Sequence, residues 1–88
     1  MTAPVTLAEA RQFLRVEHDA EDQLIQTLIE AARARIEADI GQGLDAGSPA
    51  PLRLAVLMLV LRAFERGETE MPMRPIEAWI APYRPVRL

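Results

Sequence analysis

His18 is the only imidazole in the chain, and it stands among Glu17, Asp19, Glu21 and Asp22. An imidazole ringed by carboxylates is the material of a metal site or of an acid-base pair. Ligation needs further donors of the right kind, however, and the sequence holds neither a second histidine nor a cysteine. The same carboxylates suit a solvated link followed by an acidic first helical turn, and the segment is read that way. Gly41 and Gly43 look superficially like part of a phosphate loop. That motif requires a strand before it and a Lys with Ser or Thr after it, and the chain contains no lysine at all. Serine and threonine hydroxyls are present, but a single histidine and the lack of a strand-turn-helix elbow leave nothing to activate them. The sequence therefore predicts no enzyme, no metal site and no cofactor.

Charge bounds the binding chemistry. The 10 basic residues are all arginine and face 13 acidic ones, a formal charge of -3. Binding to nucleic acid is driven mainly by Lys and Arg neutralising phosphates, so net acidity argues against a general affinity for it. A helix-turn-helix has the right outline over the first two helices, but its recognition helix would open on Asp19, Glu21 and Asp22, which repel phosphates. A small helical DNA-binding regulator is kept as the alternative function. Half of the 88 residues are apolar, more than a domain of this size hides easily, which predicts contact with another chain. With no cysteine there is no disulfide framework. The longest apolar run, Leu54 to Leu61, is bounded by Arg53 and Arg62 and is far shorter than the roughly 20 residues that span a bilayer. The opening Met-Thr-Ala-Pro lacks the basic start of a signal peptide, so neither export nor membrane contact is expected.

The elements that must position any surface are helices. Thr6 and Glu9 have capping-box spacing, predicting a helix over 7–14 with Leu7, Ala10, Phe13 and Leu14 toward a core. Val16 to His18 forms a link, and Asp19 is a good N-cap for a second helix over 20–40. Its broad apolar face consists of Leu24, Ile25, Leu28, Ile29, Ala32 and Ile36. Gly41 provides a left-handed stop, and Gly43, Gly47, Ser48, Pro49 and Pro51 mark a loop. A third helix over 51–66, stopped by Gly67, is apolar on every side and therefore central or covered by a neighbour. A buried strand competes for that run but is too short for the flanking helical pattern. A polar loop through Met71, Pro72 and Met73 leads to a short helix over 76–81, and two prolines make 82–88 an extended arm. The expectation is one all-α domain over 1–88: a small bundle of three main helices, a short C-terminal helix and an extended C-terminal arm.

Trp79 and Tyr83 are the large amphipathic aromatics, four residues apart, with Arg84 and Arg87 beyond them. Such residues anchor interfaces. Trp79 either closes the core or anchors a contact, while Tyr83 and the tail favour the contact, since a proline-rich segment has little of its own domain to bury. Arg33 and Arg35 are read first as helical partners of Glu30, Glu37 and Asp39.

The first half of the chain contains Thr6-Leu7-Ala8-Glu9-Ala10 and Leu14-Arg15-Val16, then Asp19, Glu21-Asp22, Leu24-Ile25 and Leu28-Ile29-Glu30-Ala31-Ala32-Arg33. The second half contains Leu52-Arg53, Ala55-Val56, Leu59, Phe64-Glu65-Arg66 and Ala81-Pro82-Tyr83-Arg84. Their order and spacing form a resemblance to the head-tail connector, or adaptor, family of tailed bacteriophages and gene-transfer agents. It implies a structural subunit of a homo-oligomeric ring, about a dozen copies arranged head-to-tail, located in the neck of a virion or gene-transfer particle assembled in the bacterial cytoplasm. The implied partners are a portal protein and a tail-side neck or stopper protein, with DNA passing through the lumen without specific binding. An acid-leaning composition suits that passage. On this reading Trp79, Pro82, Tyr83, Arg84, Pro85, Arg87 and Leu88 dock to the portal, and Arg33, Arg35, Met58 and Arg62 lie at subunit contacts. Many relatives carry a longer excursion between the second and third helices than Gln42 to Ala50 provides here.

Overall fold

The capping box at the first helix forms as its spacing demands: the Glu9 amide donates to Thr6 Oγ1 at 3.1 Å, and the Thr6 amide donates to Glu9 Oε1 at 2.8 Å. In the computed structural model, which describes residues 3–65 and 72–85, this opens α1 (Leu7–Leu14). There follow α2 (Asp22–Ile40), α3 (Ala50–Phe64), α4 (Met73–Ile80) and a 3-10 turn over Ala81–Tyr83. The described residues contain no strand, and the all-α bundle expected from the sequence is what forms. None of these helices is long and apolar enough to cross a membrane.

Each helix end has a physical cause. α1 stops because Arg15 turns left-handed at φ 60°. Its amide donates to Gln12 O at 3.2 Å and the next amide, of Val16, donates to Arg11 O at 2.9 Å, so two free carbonyls of the last turn are satisfied. An arginine in that conformation carries a strain that glycine does not. Arg15→Gly is therefore expected to raise the unfolding free energy by ~0.5–1 kcal/mol, net of glycine's extra freedom in the unfolded chain. A urea midpoint that fell instead would show the strain to be relieved elsewhere. Gly41 ends α2 at φ 76°, as expected.

Several boundaries differ from those read in the sequence. α2 begins at Asp22, and Asp19 is not its cap: the N-cap position is Glu21, with no side-chain cap. The start is set instead by a long-range pair, since Arg11 Nη2 donates to Asp22 Oδ2 at 2.9 Å. Arg11 Nε and Asp22 Oδ1 lie 2.8 Å apart, shielded from solvent, in an ion pair not aligned as a hydrogen bond. α3 starts one residue early, at Ala50, with Pro51 inside its first turn, and its last helical residue is Phe64, capped at Glu65. Gly67, the expected stop, lies outside the described residues. α4 begins at Met73, sooner than expected, because Pro75 falls in the first turn, where an amide has no helical acceptor to lose. Pro82 likewise joins a 3-10 turn, so the arm begins as a turn and becomes extended only at Arg84.

The core is wholly apolar. Ile25, Ile29, Ala32, Ile36 and Ile40 line the buried face of α2, Leu52, Ala55, Val56, Leu59 and Val60 that of α3, and Ile76 and Ile80 that of α4. α3 packs against α1, α2 and α4, and so holds the centre that its uninterrupted apolar run predicts. The principal extents, 47 × 32 × 17 Å, describe a slab about two helices thick. Two residues expected in the core are not there: Phe13 is 36% exposed and Leu24 is 48% exposed. Ala10 and Leu14 on α1 and Ile25 and Ile29 on α2 occupy the buried positions, and Phe13 and Leu24 lie at the rim of their faces.

The loop between α2 and α3 is tied down by a clamp of side chains. Glu37 Oε2 accepts from the Leu44 amide at 2.7 Å and from Arg33 Nε at 2.9 Å, while Arg33 Nη2 donates to Leu44 O at 3.0 Å. Both backbone groups of Leu44 are thereby satisfied as its side chain enters the core. The hydrogen bond from the Leu44 amide, then that from Arg33, holds the Glu37 carboxyl below its usual range. A carboxyl depressed in the folded state contributes stability above its unfolded pKa, near ~4.3, and that contribution is lost as pH falls through the lower folded value. Glu37→Gln is expected to cost ~1 kcal/mol near neutrality and nothing once the carboxyl is protonated. Urea denaturation of both proteins across that range checks this, and parallel curves down to acid pH would refute the clamp.

Candidate functional site

Because Ile76 and Ile80 are turned into the core, the opposite side of α4 is left to solvent. That side carries Pro75, Ala78 and Trp79, with Pro82 continuing it into the 3-10 turn, all of them exposed. Arg74 stands at one end and no acidic residue interrupts the strip. Trp79 is 41% exposed. The α4 residues buried in the core are Ile76 and Ile80, and Trp79 lies partly against its own domain and partly in water. A partly exposed indole next to rigid prolines loses little conformational freedom when another surface covers it.

Tyr83 and Arg84 turn toward the domain. Tyr83 is half-buried and packs on the core. Arg84 folds back over α2, where its Nε donates to Asp39 Oδ2 at 2.8 Å and its Nη2 lies 2.7 Å from the same oxygen and 3.4 Å from Glu77 Oε2. The hydrogen bond to Asp39, above all, holds that guanidinium even more firmly protonated than usual. Exposed Pro85 comes next, close to Gly41, where an added Cβ would sit 3.8 Å from Pro85 Cγ. Of the seven tail and α4 residues singled out by sequence, Trp79 and Pro82 share the outer face, Tyr83 packs on the core, Arg84 and Pro85 lie by the end of α2, and Arg87 and Leu88 lie outside the described residues.

The residues singled out on α2 and α3 separate in the same way. Arg33 belongs to the Leu44 clamp, and its pairing with Glu37 is the i,i+4 partnership its spacing predicts. Arg35 and Arg62 flank a shallow depression floored by Leu28, Ala31, Leu59 and Ala63. Met58, one turn before Arg62 on α3, is half-buried and does not line the depression. Nothing in the sequence pointed to that depression, because alanines carry no signal of their own; the missed cue is the i,i+3 spacing of Leu28 and Ala31 opposite Leu59 and Ala63.

The histidine cluster stays a surface turn. His18 is exposed and its Nδ1 accepts from the Ala20 amide at 3.3 Å. Asp22 is engaged with Arg11, and the described residues hold no group of three or more His, Cys, Asp or Glu placed to bind a metal ion. Exposed Glu17 and Asp19 leave the α1-α2 corner acidic, a poor match to a phosphate backbone.

No curated protein and no solved structure matches the chain. The family model described as phage gp6-like head-tail connector protein matches residues 4–73 of the 88. That span takes in α1, α2, α3 and the loops between them and ends as α4 begins, so the capping box, the Arg11-Asp22 pair, the Leu44 clamp and the central α3 all lie inside the matched frame. The chain belongs to the phage gp6-like head-tail connector protein family.

Proposed function

We propose that this chain is one copy in a ring that joins the portal of a DNA-filled capsid to the tail, a structural and non-enzymatic role in the neck of a virion or gene-transfer particle assembled in the bacterial cytoplasm. What supports the reading is the family match over the whole three-helix frame. The frame is stiffened by buried isoleucines and by tied helix ends, as a part that sets the spacing of its neighbours has to be. The α4 strip of Pro75, Ala78, Trp79 and Pro82 docks to the portal, and the tail segment from Tyr83 through Pro85 to Arg87 and Leu88 follows it. Arg35, Met58 and Arg62 sit on the sides available to neighbouring copies, while Arg33 acts through the loop that it clamps. A ring of about a dozen copies closes if each contact is head-to-tail. A tail-side neck or stopper protein takes the other end, and DNA slides through the lumen without specific binding, the net acidity of the chain opposing capture.

The test is co-sedimentation of the full chain with purified portal, the number of copies per particle being read by native mass spectrometry. Binding in a ring-sized multiple supports the proposal. Failure to bind portal, together with salt-sensitive binding of duplex DNA, replaces it with the regulator.

A further inference from the structure

The direction in which Trp79 and Pro82 face depends on how α4 is rolled about its own axis. α4 packs against α3. Its two buried anchors, Ile76 and Ile80, stand one turn apart on a single line along the helix, with Met73 and Tyr83 packed less deeply at its ends. Anchors in line fix where a helix lies and how close it sits to its neighbour. A roll about that line is resisted chiefly by whatever braces the flank of the helix.

On the flank toward α2 the brace is Arg84. Its Nε and Nη2 lie 2.8 and 2.7 Å from Asp39 Oδ2 in the last turn of α2, and Nη2 lies 3.4 Å from Glu77 Oε2 on α4. Arg35 and Ala38 complete the shallow groove that these three groups line. One guanidinium nitrogen thus stands between two carboxylates that otherwise repel each other. Since these donors are already engaged by the chain's own acids, offering them to a partner means breaking the brace first.

We propose that Arg84 is a positioning residue for portal docking and not itself a docking contact: by tying α4 to the last turn of α2 it fixes the direction in which Trp79 and Pro82 are presented. The proposal rests on the portal reading for its consequence, though not for the tie. Asp39 belongs to the family-matched frame, whereas Glu77, Arg84 and the aromatic of the strip lie beyond residue 73, so the tie also registers the strip on that frame.

Trp79 is the one tryptophan of the chain, so its fluorescence anisotropy and its quenching by acrylamide report on α4 in the unlabelled protein. Arg84→Gln is compared with the double variant Asp39→Ala, Glu77→Ala, in which the arginine stays and its acceptors are gone. The expected result is a more mobile and more readily quenched Trp79 in both, and weaker co-sedimentation with purified portal in both. The loss of affinity should be about 5-fold for Arg84→Gln and about 2-fold for the double variant, which is also relieved of the carboxylate repulsion. A direct docking contact predicts the opposite sign for the double variant, because a released Arg84 would bind portal at least as tightly as before. That result, an unchanged Trp79 signal in Arg84→Gln, or a mobilised Trp79 with undiminished portal binding each overturns the proposal. If Trp79 responds in both variants but even the unaltered chain does not bind portal, the tie stands and the portal reading is what fails.

Discussion

Ile36→Ala is expected to remove ~3 kcal/mol of stability, a large part of the ~5–10 kcal/mol a domain of this size possesses, and to lower Tm by more than ~10 °C. Ile36 lies on the buried face of α2 between Ala32 and Ile40 and is fully buried. Truncation there removes the transfer free energy of the lost methylenes and leaves a cavity that rigid helix packing cannot close. Leu24→Ala, on the same helix, is expected to change stability by no more than ~1 kcal/mol, because that side chain is half in water. Thermal melts of the two variants measure the contrast. Equal losses would mean that α2 packs in a different register from the one described, with Leu24 inside.

That contrast marks how far the sequence could be read. The apolar period of α2 correctly brought Ile25, Ile29, Ala32 and Ile36 to one side, but it could not say where the buried stripe stops being covered. That depends on how many residues of α1 and α3 are present to cover it, which is a property of the assembled domain. Phe13 was misplaced for the same reason. Local signals whose partners sit within a turn were legible: the Thr6-Glu9 box, Gly41 as a left-handed stop and the Arg33-Glu37 pair all form. Signals that depend on a distant partner were not. Asp19 has the chemistry of a cap, yet α2 starts where Asp22 meets Arg11 of the preceding helix. Leu44 was hidden in a glycine-rich loop, although it is the one large apolar residue between Gln42 and Ala50 and anchors that loop to α2. The fourth helix was expected only after Pro75 and was expected to end at Pro82, yet Pro75 lies in the first turn of α4 and Pro82 in the 3-10 turn that follows it, where a missing amide has no acceptor to lose.

Portal binding should depend on the outer strip of α4 more than on any other part of the surface. Trp79→Ala is expected to weaken it about 100-fold, ~2.7 kcal/mol, the scale at which a desolvated tryptophan contributes to an interface. Since part of the indole rests on its own domain, a loss of binding in that variant alone could reflect a loosened α4. Ala78→Glu separates the two effects. Ala78 is exposed beside Trp79, glutamate is a good helix former, and no packing is removed, so stability should change by less than ~0.5 kcal/mol. A carboxylate carried into an apolar contact nevertheless loses its water, and binding should fall by at least about 10-fold. Both affinities can be read by sedimentation against portal, with melts of the free variants as the control. The strip lies just beyond the family-matched span, so the prediction also distinguishes what the three-helix frame does from what this chain adds to it. If Ala78→Glu bound portal as tightly as the parent chain, docking would have to be assigned to the matched frame, and α4 would be left with closing the core through Ile76 and Ile80 as its whole role.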